Sequence, residues 1–408
     1  AGTFKVGAGA GNTSGLMDVK GAGITVSVSG GGSSLVEVTG SGSQTFTATD
    51  FNLQFLNQNA TSGNLQVRAN TGTQTLSAAA GALNVLAGTG SGTGVSVGST
   101  GGNQIVTADA LNVTGGSSGL GNTASLYAGG ALQTITVAAN GINIAGGGGT
   151  GADGNNSAFI SYSGSGTQGI TVNGGGDLLI FGGSSALLSV LAGEGSRGVV
   201  ESTGTGNQNI TLSGGNMTLQ GGTVGSRNFA GLFSDLGSQT ITGVNFLLLY
   251  GGSDGGVATA GNRATMHAGI NQSITANSVQ LLGGDDGTEN YARILLYGPG
   301  AATQTITTNA LTLQGGAAGG GLGTGNFALI QSDASQNVNI GSGGNLSMFG
   351  GGGTLTDNAA RLETNGGAGT QSIVLTGGGS INMVGGSSTA TTVGATHGSR
   401  ANINSGGA

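Results

Sequence analysis

A glutamine returns along this chain at intervals of 29 to 40 residues, at Gln44, Gln74, Gln104, Gln133, Gln168, Gln208, Gln239, Gln272, Gln304, Gln336 and Gln371. At most of these anchors an apolar residue stands two places later, as Leu76, Ile135, Ile170, Ile241 and Ile306 do, within text that reads QTIT or a relative of it. Such alternation of β-branched residues favours a strand with one face buried. Seven to ten residues past the anchor comes a second run, apolar-x-apolar, as in Leu83-Val85, Leu111-Val113, Met217-Leu219 and Leu311-Leu313. A Gly pair usually follows (Gly115-Gly116, Gly221-Gly222, Gly283-Gly284), then a variable Gly-rich loop, then a third apolar run such as Phe159-Ile160 or Leu329-Ile330.

Three short strands and three turns in roughly 30–35 residues are what one coil of a parallel β-helix requires, and a single coil cannot bury its own apolar face. The expectation is therefore an all-β solenoid of about 11–13 stacked coils with three short strands per coil. Composition fits. Gly, 93 of 408 residues, supplies corners; the single Pro suits strands that are hydrogen-bonded on both edges. Disorder is excluded by a hydrophobic fraction of 36% with a net charge of only −7, and collagen by the lack of a Gly triplet. A propeller blade would need about 40–45 residues and hairpin turns. No linker divides the chain, so residues 1–408 read as one repeat domain. Register is open before Gln44, where Phe4-Val6, Leu16-Val19, Ile24-Val28 and Leu35-Val38 are strand-like but carry no Gln.

The motifs Ser238-Gln239-Thr240-Ile241-Thr242, Leu311-Thr312-Leu313-Gln314-Gly315-Gly316 and Gly325-Asn326-Phe327-Ala328-Leu329 resemble the repeat regions of filamentous-haemagglutinin-type adhesins of the two-partner-secretion class. The resemblance covers residues 40–408 and does not include that family's secretion-signal domain. It implies a right-handed parallel β-helix in a secreted or cell-surface protein, acting in adhesion or in a fibre.

Chemistry is sparse. The mild acidity opposes nucleic-acid binding, which needs a basic stripe, and no apolar run reaches the ~18 residues of a membrane helix. Cys is absent, so disulfides and thiolate metal sites are excluded. The numbered sequence opens at Ala1 without Met or a signal core, and so reads as a processed product or an excised segment. The densest acidic group, Asp285, Asp286 and Glu289 with Arg293 beyond, reads as a solvated loop. His267 and His397 lack catalytic neighbours in sequence, and Gly148–Asp153 matches one copy of a calcium nonapeptide that works only in tandem. No cofactor and no metal site are expected.

Three patterns repeat. The Gln anchors should stack into a column of bonded amides. Arg197, Arg227, Arg263 and Arg293, continued by Arg361 and Arg400, recur at the entrance to the third strand, as a solvated charged edge or an anionic-glycan stripe. Phe181, Tyr250 and Phe349 precede the Gly pair where alternation points outwards. The function expected is a non-enzymatic, extracellular structural or adhesive rod. Its partners would be other copies stacked head-to-tail into filaments, or a cell-surface glycan or protein. The alternative is a glycan-processing β-helix enzyme, which would need carboxylates of neighbouring coils converging in one groove.

Overall fold

The computed structural model describes residues 2–7, 17–28, 33–40, 42–55, 62–150, 155–186, 195–225, 227–253, 261–285, 287, 289–298, 300–316, 325–352, 358–365, 369–387 and 399–406. Among them there is no helix, and every strand pair is parallel. The chain is a β-solenoid. A first sheet of 13 strands, from Gly2–Gly7 to Ala401–Ser405, takes one strand from each coil. A second sheet of 16 strands collects the Gln runs together with the apolar-x-apolar runs.

All three expected runs are present, but two of them share this second sheet because the angle between them is a bend more often than a break. In Gln104–Thr114, Gln239–Tyr250 and Gln272–Leu282 one strand carries both runs. Elsewhere they separate, as Leu132–Val137 and Ile142–Ala145, or Thr167–Val172 and Leu178–Phe181. The bend interrupts the alternation: Gln239 and Ile241 point inwards, then Val244, then Leu247 and Leu249, with a register shift between Ile241 and Val244. Gly243 sits there at φ 72° and Gly141 occupies the matching break at the same φ, a conformation that costs a side chain its usual backbone well.

Alternation delivers the core. Ile241 stacks between Ile210 and Ile274, and Leu249 between Leu219 and Leu281, all buried. The first sheet adds Ala230 and Leu232 below Ala264 and Met266. These join one continuous hydrophobic cluster running from Val38 to Leu362. Towards the far end the cover thins. Ile381 is 50% exposed and Met383 42%, because no described strand pairs beyond Ser380–Val384. Before Gln44, Gly2–Gly7, Met17–Val28 and Ser33–Gly40 form strands in register with later coils: Met17–Val28 pairs with Gln44–Phe55, placing Met17 where later coils carry Gln.

Candidate functional site

The Gln anchors form a ladder inside the rod. Each Nε2 donates to the Oε1 of the preceding anchor, from Gln74 onto Gln44 through to Gln371 onto Gln336, at 2.7–3.1 Å. From Gln44 to Gln336 these side chains are at most 1% exposed. The other amide proton crosses the core to a first-sheet carbonyl: Gln104 reaches Val97 O, Gln208 reaches Phe233 O and Gln239 reaches Leu232 O, at 3.0–3.3 Å. One amide thus bonds its coil to the coil before it and ties the two sheets together. At those anchors both donors are spent, as burial of a polar group demands, whereas among the described residues Gln133 and Gln272 show the ladder bond alone.

A second ladder lies at the mouth of the variable loops. Asn122, Asn156, Asn228, Asn262, Asn290, Asn326 and Asn358 are fully buried, with Ser196 in the same file. Each oxygen accepts the backbone N–H of the equivalent residue one coil earlier: Asn122 N–H onto Asn156, Asn228 onto Asn262, Asn290 onto Asn326, at 2.8–2.9 Å. The amide nitrogen turns the other way and fastens loop carbonyls, Val224 O for Asn228 and Ser253 O for Asn262. Segments of unequal length can therefore rejoin the rod at one fixed point. The sequence signal is Asn two residues before an inward Ala, in Asn122-Thr123-Ala124 or Asn262-Arg263-Ala264.

The arginines do not make a single file. Arg197 lies opposite Phe229, Phe229 opposite Arg263, and Arg263 opposite Tyr291, so rings and guanidinium groups interleave. Arg293 stands two residues deeper, between Thr265 and Leu329, and Arg361 shares that deeper position. Arg227 precedes the strand at φ 63°, and Arg400 directly precedes Ala401–Ser405. The rings answer the repulsion that stacked like charges would bring. The Arg197 guanidinium is 5.0 Å from the Phe159 ring and 5.8 Å from Phe229; Arg263 is 4.7 Å from Phe229, Arg293 4.7 Å from Tyr291, and Arg361 5.5 Å from Phe327. Tyr291 and Phe327 stack at 4.8 Å. Each such contact is worth about 0.5–2 kcal/mol depending on desolvation.

Beside this stack the outer face of the first sheet gathers titratable groups. His267 stacks on Phe233 at 4.4 Å and meets the edge of Tyr297 at 5.5 Å. Its Nε2 is 2.6 Å from Asp235 Oδ1. Gly231 lies beneath, and a Cβ there would stand 2.4 Å from the Phe233 ring and push it aside. One coil earlier, burial pushes the Glu201 carboxyl above its usual range, and the charge of Asp235 adds to that, against a hydrogen bond with Ser161 and the charge of Arg197. Burial likewise raises the Tyr297 phenol.

Phe181, Tyr250 and Phe349 do share one outward file, but Gln220 separates Phe181 from Tyr250, and Leu282 and Gln314 separate Tyr250 from Phe349. Tyr250 donates to Asp285 at 2.6 Å, and Phe181 lines a shallow groove of about 240 Å³ with Gln220 and Thr223. Asp286, Pro299, His397 and Asp153 lie outside the described residues. Among the described residues no three His, Asp or Glu side chains gather as metal ligands would, and no helix is long and apolar enough to cross a membrane. No family model, no curated protein and no solved structure matches this chain.

Proposed function

We propose that the chain is an exported, non-catalytic rod that presents the arginine–aromatic face of its first sheet to an anionic glycan or a protein surface. The observation that carries this reading is the interleaved stack from Phe159 to Arg361, in which half-buried guanidinium groups are held over rings at 4.7–5.8 Å. A guanidinium fixed in one orientation loses little entropy when it meets a sulfate or carboxylate, and its planar fork suits both. Replacing Arg197, Arg227, Arg263 and Arg293 together by Gln should abolish retention on a sulfated-glycan surface while circular dichroism stays unchanged. Retention by the parent should also weaken with salt. Unchanged retention in the variant would return these residues to a structural role.

Head-to-tail association belongs to the same reading, since coils stack in parallel register along both sheets and a coil of another copy would offer the same pattern of strands. Electron microscopy and sedimentation of the purified chain check it, and a monodisperse short rod at all concentrations would remove it. A glycan-processing enzyme is the second reading, favoured by Asp235 paired with His267 and by Glu201 within its electrostatic reach. Release of reducing ends from a polysaccharide, lost in Asp235→Asn, would replace the first reading with this one.

A further inference from the structure

The outward face of the Gln strands is different in kind from the face just described. Two residues after each inward Gln an apolar side chain follows on the same phase, alkyl everywhere but at Phe46, and the residue next to it points out. These outward residues form a file in register from coil to coil: Thr107, Thr136, Thr171, Thr211 and Thr242 are consecutive partners. The file continues with Thr275 beside Thr307. A parallel file two residues earlier includes Thr45 beside Thr75, then Thr134, Thr240 and Thr305, with Ser or Asn at several of the remaining positions. All are half-buried or exposed. From the coil of Gln44 to that of Gln336 neither file carries a charged or an aromatic residue.

Two repeats fix this lattice. Along the rod, neighbouring strands lie about 4.7–4.9 Å apart; along each strand, residues two apart on one face are separated by roughly 6.6 Å. The register of the Gln-to-Thr stretch does not shift across these pairs. Directly behind the hydroxyls runs the bonded Gln ladder, and ladders of this kind are what hold a long sheet flat. Thr is itself stiff at χ1. Among the described residues the hydroxyls of these two files find a single protein partner, Thr211 with Thr242 at 3.3 Å. The rest are left to bond water.

We propose that this face binds ice. A flat, uncharged, rigid array of paired methyl and hydroxyl groups with two short repeats matches a lattice of like period. Hexagonal ice presents oxygen rows close to the coil-to-coil spacing. A neutral lattice is the electrostatic complement of two files that carry no charge, and a preorganised array gives up little entropy on docking. Crystalline polysaccharide is the lesser match, because sugar faces are held by aromatic rings, and this face has none. The inference goes beyond the adhesive reading and does not depend on it.

Purified protein should shape single ice crystals, open a gap between melting and freezing points, and slow recrystallisation relative to albumin at equal mass concentration. A variant carrying Thr136→Tyr, Thr171→Tyr and Thr211→Tyr lifts a flat lattice off the centre of the face, and should lose about tenfold or more of that activity, as central contacts carry most binding energy. A control with Thr218→Tyr and Thr312→Tyr, outward beyond the bend, should keep it. Circular dichroism and thermal melting establish that all three proteins are folded. The proposal is overturned if the parent acts no better than albumin, if the central variant retains its activity, or if the parent instead sediments with crystalline chitin or cellulose through the same threonines.

Discussion

The outer faces of the two sheets rest on the same repeat and have opposite characters. On the first sheet, outward positions change from coil to coil: Ser125, Phe159, Val199, Gly231, Thr265, Arg293. On the Gln strand the corresponding file stays threonine over five successive partners. Backbone spacing cannot cause the difference, since both sheets are parallel and stack coil on coil. What differs is what each strand adjoins. First-sheet strands begin at the re-entry point of variable loops, where the Asn file holds the chain and lets each loop bring its own surroundings. Gln strands begin after a short turn, so nothing nearby varies. A solenoid of this sort confines diversity to one flank and regularity to the other.

That contrast can be attacked first at the boundary between inside and outside. Ile241→Asp buries a carboxylate among Ile210, Ile274 and their neighbours and should cost several kcal/mol, about 4 or more, or prevent folding. Thr240→Asp, one residue away on the regular face, should stay within about 1 kcal/mol. Urea denaturation measures both, and equal effects would show that the flanks are assigned wrongly. Next in size is the re-entry point. Asn262→Ala strands the N–H of Asn228 and the carbonyls of Gly225 and Ser253, and should destabilise by about 2–4 kcal/mol, more than a lone surface bond would. A cost below about 0.5 kcal/mol would mean the loops hold their own shape.

On the variable flank the effects are smaller. Arg263→Ala removes a cation from the Phe229 ring and should cost about 1 kcal/mol, with Arg263→Lys recovering only part of it. Full recovery by Lys would show that charge, and not the flat stack, matters. Smallest is a pH effect. Glu201 has a raised folded-state pKa, so its contribution is favourable when the group is protonated and is lost as pH rises through that value. Glu201→Gln should therefore raise the melting temperature at neutral pH, and the gain should vanish below the ordinary carboxylate range, near pH 4. A gain independent of pH would point to packing instead.

Much of this architecture was legible in the sequence, and the residues show why. Gln44 to Gln371 can be aligned because each is followed two residues later by an apolar residue in strand-forming text. The in/out phase at Ile241 and Leu313 followed from alternation alone. The buried role of Asn122, Asn262 and Asn326 is not legible, although Asn326 stands in a repeated motif, because segments of unequal length separate each from the Gln before it and Asn in a Gly-rich stretch looks like a turn residue. The arginines were misplaced for a related reason. Near a loop end, one residue of slack decides whether Arg263 lies opposite Phe229 or another Arg, and only the pairing of strands resolves that. The threonines next to Ile241 were read as strand propensity, since their significance lies in the file and not in any one coil.

The Gln ladder also gives the rod a direction. Every amide points the same way, its nitrogen towards the preceding coil and its oxygen towards the following one. Aligned amides reinforce one another's polarisation, so the row behaves as a wire of dipoles with unlike ends. A coil spliced in between any two neighbours finds an acceptor below and supplies an identical one above, whatever its number in the series. Duplication and deletion of whole coils are thereby made nearly neutral for the interior, whereas an inverted coil has no place to bond. Rod length is thus free to drift while polarity is not.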